Sequence, residues 1–182
     1  MVRALLLLGA LAVPFGCLVW HASRFDEIAQ MAAARNRVDF YLAKSLIYEE
    51  SWFRPNIRGA GGELGLMQIM KPAAADFAAR KGLAPFSEAM LLEPRVNIEI
   101  GCWYLGQSLD RYQDSPAPLV YALLRYNAGE TRADAWLKLA LSRAATSGPL
   151  TEQFCLSLVD FPKTRAYAQR ILRRMRSRNF IF

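Results

Sequence analysis

The stretch Glu49-Glu50-Ser51-Trp52-Phe53-Arg54-Pro55 joins two kinds of sequence. Before it, Val38 to Glu50 carries Phe40, Leu42, Leu46 and Ile47 in a pattern that fits an amphipathic helix. After it, Ser51 to Glu63 holds Pro55, Gly59, Gly61 and Gly62, a composition that neither continues a helix nor builds a packed strand. The reading is of a helix with apolar turns that ends in two adjacent carboxylates facing a glycine-rich loop. A carboxyl so placed is partly withdrawn from water. Desolvation disfavours its charged form, so it keeps a proton near neutral pH and has one to donate. Helical spacing does not choose between the two: Glu49 follows Leu42 and Ser45, whereas Glu50 follows Ala43, Leu46 and Ile47.

Outward from this stretch the pattern stays helical. Pro72 fits the first turn of a helix that Gly82 stops, and further helices are expected over Glu93 to Tyr112, Ala117 to Asn127, Glu130 to Arg143 and Lys163 to Arg178. No strand-like alternation occurs, so the expected class is all-α. Arg24 to Arg37 reads as a short linking helix, giving an organisation of residues 1–23, 24–37 and 38–182. In the last helix Arg165, Arg170, Arg173, Arg174, Arg176 and Arg178 accompany Ile171, Leu172 and Met175, which reads as a solvated basic face rather than an anion site.

Ala4 to Ser23 contains no charged residue and is flanked by Arg3 and Arg24, roughly the length of a membrane-spanning helix. Three fates are open to it: retention as a signal anchor, removal as a signal peptide, or a lipoprotein signal ending at Gly16-Cys17. No clean small-x-small site follows the run, and Pro14-Phe15 makes a poor lipoprotein box, so retention is favoured while removal and lipidation stay open, and the domain is expected to be either anchored or exported. The expected location is then the bacterial cell envelope, on the periplasmic face of the inner membrane.

With 182 residues, 53% of them apolar, the chain has enough material for one ordinary domain and a short appendage. Its 23 Lys and Arg against 16 Asp and Glu leave a net charge of +7, which favours anionic partners. The lone His21 and the scattered Cys17, Cys102 and Cys155 lack metal-ligand spacing, which argues against zinc and Cys/His catalysis. Cys102 and Cys155 each lie among apolar residues and read as buried thiols. No glycine-rich phosphate loop stands between a strand and a helix, so nucleotide chemistry has no support, and no nucleic-acid partner is expected.

Glu50-Ser51 followed by an aromatic residue and Pro resembles the first motif of the soluble-lytic-transglycosylase type of lysozyme-like domain. The resemblance continues in order through Gly65-Leu66-Met67-Gln68, Asn97-Ile98 with Gly101 and Tyr104-Leu105, and Tyr126-Asn127-Ala128-Gly129. It ends more weakly in Thr164-Arg165-Ala166-Tyr167, covering roughly Val38 to Leu172. Singly, Met67, Tyr104 and Tyr126 would read as core; together and in order they define a family pattern. Many relatives carry an acidic residue just before the Thr-Arg pair, where this chain has Lys163.

The resemblance implies a lysozyme-like SLT domain behind an N-terminal hydrophobic helix, acting on peptidoglycan glycan strands without metal or cofactor. It implies Glu50 as acid and base, Ser51 as a supporting hydrogen-bond group, and Gly65, Met67 and Gln68 as cleft wall braced by Asn97 and Tyr104. Tyr126 would lie beside the carboxyl, with Asn127 and Gly129 shaping the next turn. The implied reaction is cleavage of the MurNAc–GlcNAc bond by the 6-hydroxyl of the muramic acid itself. A muramidase using water and a second acid such as Glu63 or Glu130, and a non-catalytic peptidoglycan-binding scaffold in a cell-wall or secretion complex, are the alternatives.

Overall fold

The computed structural model describes residues 20–147 and 149–180. Most of the apolar stretch read as an anchor, residues 4–19, lies outside them. No helix among the described residues is long and apolar enough to cross a membrane.

The described residues are helical, with two isolated bridges, Arg58 to Leu64 and Leu64 to Ile69, in place of any strand. Helix α1 spans Asp26–Arg35 and α2 Phe40–Ser51. Asp39 starts α2 by accepting from the Leu42 amide at 2.9 Å, satisfying one of the donors a helix start leaves free. Helix α3, Lys71–Lys81, has Pro72 in its first turn and stops at Gly82, which is left-handed with φ 63. Helix α4, Glu88–Leu92, is capped by Ser87, and α5, Pro94–Arg111, follows directly. Helices α6, Pro118–Ala128, and α7, Glu130–Ser147, come next; then α8, Glu152–Ser157, capped by Thr151, and α9, Pro162–Ser177.

The apolar spacing of α6 decides the packing. Val120, Tyr121, Ala122, Leu123 and Leu124 are all buried, and α5, α7 and α9 lie against them. An apolar side chain fully removed from water contributes about 1.5–3 kcal/mol, so this helix anchors the core. Helix α1 buries Ala29, Ala32 and Ala33 against α5 and α2, and is thus part of the same core. Cys102 and Cys155 are free and buried, and burial pushes the Cys102 thiol up to about 12, which makes it unreactive.

The contact that places the site is α9 on α2. Thr164, Tyr167, Ala168, Ile171 and Leu172 form the inner face of α9, which brings the far end of the sequence onto the carboxylate end of α2.

Candidate active site

Helix α2 ends because Trp52 and the next residue, Phe53, take left-handed backbone conformations, φ 53 and 58. The Trp52 amide still closes on the Tyr48 carbonyl at 2.9 Å, while Phe53 drives its ring into the core at 3% exposure. Ser51 is buried, and its hydroxyl donates to the Ile47 carbonyl at 2.9 Å, so it braces the last turn from within. This fixes Glu49 and Glu50 on the final turn, side by side but in opposed surroundings.

Glu49 is neutralised. Arg170 Nε donates to its Oε1 at 2.7 Å and Arg174 Nη1 to its Oε2 at 3.3 Å, both from α9. Arg174 also lies over the Tyr48 ring at 3.8 Å. Part of the basic face expected to be solvated therefore has a partner that periodicity could not reveal. Replacing Glu49 by Gln is expected to destabilise the domain by about 2 kcal/mol, the scale of hydrogen bonds to charged groups, which urea unfolding checks.

Among the described residues, no cation pairs with Glu50. Its Oε1 accepts from the Tyr167 hydroxyl at 2.5 Å, across 117 positions of sequence. Burial pushes the carboxyl up to about 7; the Tyr167 bond pulls the other way, and the charges of Glu49 and Glu63 add to the rise. The Tyr167 phenol is itself held well above its ordinary range by burial and by Glu50, so it keeps its proton and donates. With Oε1 occupied, the carboxyl proton belongs on Oε2.

Asn97, buried in α5, ties the loop from Leu64 to Met67 to that helix. Its Oδ1 accepts from the Met67 amide, and its Nδ2 donates to the carbonyls of Leu64 and Leu91, all at 2.7 Å. Gly65 lies against this amide with φ 76; a Cβ there would fall 2.4 Å from Asn97 Nδ2 and 2.9 Å from the Leu91 oxygen, so only glycine fits. Met67 points its side chain inward and is fully buried, while its carbonyl accepts from the Tyr126 hydroxyl at 2.9 Å. Gln68 bonds back to the Gly65 carbonyl at 2.8 Å. Gln68, Tyr104 and Tyr126 line a hollow of about 90 Å³, and the two phenol rings meet edge to face at 5.5 Å.

The residues singled out in the sequence therefore divide. Gln68, Tyr104 and Tyr126 line the hollow; Ser51, Met67 and Asn97 are buried braces, and Gly65 leaves room for the Asn97 amide. Asn127 is exposed and ties the end of α6 to α9 by accepting from Thr164 Oγ1 at 2.7 Å. Tyr126 lies near enough to Glu50 to feel its charge, but the phenol bonded to Glu50 is that of Tyr167. The Thr-Arg-x-Tyr segment contained Tyr167 without marking this role. Lys163 is exposed on the first turn of α9.

The described residues thus form a helical domain with one desolvated carboxyl, Glu50, at a helix end and a hollow lined by two tyrosines, one of which, Tyr126, feels the Glu50 charge. A family model, the Transglycosylase SLT domain, matches residues 27–147, and the chain belongs to that family. It is 28% identical over 149 residues to the soluble lytic murein transglycosylase of Escherichia coli K12, and 29% over 131 residues to that of Salmonella typhimurium LT2. These matches take in 81% and 71% of this chain, but the chain spans only about a fifth of the length of those relatives, 22% and 19%. An inactive mutant of the lytic transglycosylase Slt from Pseudomonas aeruginosa superposes with a TM-score of 0.71 at 26% identity, over 82% of this chain and 23% of that one.

Proposed function

We propose that the protein is a peptidoglycan lytic transglycosylase that cleaves the β-1,4 bond between MurNAc and GlcNAc and leaves 1,6-anhydro-MurNAc ends. The observation that carries this reading is one buried carboxyl, Glu50, raised to about 7 and bonded to the Tyr167 hydroxyl, beside a neighbour, Glu49, that Arg170 and Arg174 pair. Family membership and the activity named for the relatives support it.

Glu50 Oε2 donates its proton to the glycosidic oxygen as the bond to the muramic acid breaks. The carboxylate so formed then takes the proton of the substrate's own 6-hydroxyl as that oxygen closes on the anomeric carbon. The Tyr167 hydroxyl keeps Oε1 engaged throughout, so one oxygen performs both transfers. Gln68, Tyr104 and Tyr126 form the wall that seats the saccharide, with Asn97, Met67, Gly65 and Ser51 holding that wall and Asn127 the adjoining turn.

A water-using muramidase needs a second free carboxylate. Glu130 is paired with Arg125 at 2.9 Å and Arg111 at 3.3 Å, which favours the intramolecular route over one that uses Glu130; Glu63 accepts from the Gly61 amide on Oε2 at 2.9 Å, and the products decide whether it serves as a base. Digestion of purified peptidoglycan followed by mass analysis tests this. Products lighter by one water than the hydrolytic ones are expected, and hydrated ends would assign the hydrolytic reaction instead.

The base is generated by the acid step, so no second ionisation has to be met beforehand. We expect kcat/KM to be level through weakly acid pH and to fall as pH rises through about 7, where Glu50 loses its proton. A bell with a second, acid limb belonging to another carboxylate would contradict the one-carboxyl mechanism. We infer further that residues 4–23 hold the domain at the membrane, on the periplasmic side.

A further inference from the structure

Residues 20–25 precede the part of the chain that the family model covers, yet two of their side chains reach the turn that closes α2. His21 Nε2 lies 2.8 Å from the Trp52 carbonyl oxygen, and the Arg24 guanidinium donates to the carbonyl of Phe53. An oxygen there only accepts, so His21 carries its proton on Nε2. The bonded pair are the two consecutive left-handed residues, a conformation that crowds the Cβ of a bulky L residue against its own backbone. Such strain persists only where surrounding contacts over-determine it. Here the contacts are visible. The His21 ring meets Phe53 edge on at 6.0 Å, Phe53 meets Tyr48 at 5.8 Å, and Arg24 lies over the Phe25 ring at 4.7 Å.

We propose that His21 and Arg24 are positioning residues for Glu50: they clamp the Trp52–Phe53 turn and thereby fix the last turn of α2 against Tyr167. The clamp acts through backbone, two residues beyond the carboxyl, and touches neither substrate nor the reacting atoms. The segment that leads out of the apolar stretch is thus part of the scaffold of the site. The proposal rests on reading Glu50 as the acid–base residue.

The test uses the full chain in detergent micelles, with His21→Ala, His21→Gln, Arg24→Ala, Arg24→Lys and Glu50→Gln compared. Gln keeps a donor where Nε2–H was, and Lys keeps a cation. Arg24→Ala is expected to lower kcat about tenfold with KM within twofold, the scale of one misplaced proton-transfer group. Its alkaline fall should also move to lower pH as water reaches the carboxyl. His21→Ala should show a smaller change of the same kind, and the Gln and Lys variants should recover most of the loss. Hydrogen exchange at the amides of residues 50–54 should quicken in both alanine variants while the α6 amides stay protected. That arm reads the clamp without any activity: unchanged exchange in folded Arg24→Ala overturns the proposal, as does a kcat loss that the conservative variants do not rescue. If instead Glu50→Gln still cuts glycan, the reading of Glu50 fails, and the exchange result alone decides whether the turn is clamped.

Discussion

Glu50→Gln is expected to cut glycan release by about a thousandfold or more, since general acid–base transfer contributes typically 10²–10⁴ and this residue serves both halves of the reaction. The amide keeps the shape of the side chain, and its oxygen accepts from Tyr167 as Oε1 does, but it has no proton to exchange with the substrate. Binding should survive, so the variant should still sediment with purified peptidoglycan. Stability supplies an independent check. The folded protein holds the Glu50 proton up to about pH 7, whereas an unfolded chain loses it near the ordinary value of 4.5. Between those two values the native state binds more protons than the unfolded one, so wild-type stability declines as pH rises through this window and levels off above it. Glutamine does not titrate. The variant should therefore gain Tm relative to wild type from pH 4.5 to 7, and a flat difference across that range would mean Glu50 is not desolvated.

Asn97→Ala is expected to be the most destabilising single change among the site residues. It removes three buried hydrogen bonds at once and leaves the Met67 amide and the Leu91 carbonyl without this partner, while the Leu64 carbonyl keeps the Ile69 amide at 2.9 Å. Each such orphan costs about 1–3 kcal/mol, so a total of about 3 kcal/mol or more is expected in urea unfolding. Activity should fall with it, because the Met67 carbonyl that receives Tyr126 is set by the same amide. Asn97→Asp is the sharper comparison. It still accepts from Met67 but faces two carbonyls with a carboxylate, so it should be no milder than alanine. A loss below 1 kcal/mol for either would show that the loop does not depend on this side chain.

How much of this could be read beforehand follows from the range of each interaction. The end of α2, the Pro72 start and Gly82 stop of α3, and the long helices α5, α6, α7 and α9 are local matters of spacing and breakers, and they stand within a few residues of the expected bounds. Helices α4 and α8, of five and six residues, are too short to show a period; Ser87 and Thr151 as caps were their only signals. Helix α1 passed for a linker because its buried face is alanine, which marks a stripe weakly, although Ala29, Ala32 and Ala33 are correctly spaced. The choice between Glu49 and Glu50 was silent in helical geometry, since both sit on one turn. Helix α9 makes that choice, with Arg170 and Arg174 taking one and Tyr167 the other. Contacts spanning more than a hundred residues leave no local trace in a single sequence.

The carboxyl and the phenol that holds it lie 117 positions apart in the coding order, with Tyr167 on α9. A ribosome that has released everything up to the close of α7 has made a carboxyl with no hydroxyl to hold it and a Glu49 without its arginines. On the proposed function, nascent, stalled or clipped chains that lack a docked α9 are expected to be poor scissors, the blade being set only when α9 is in place.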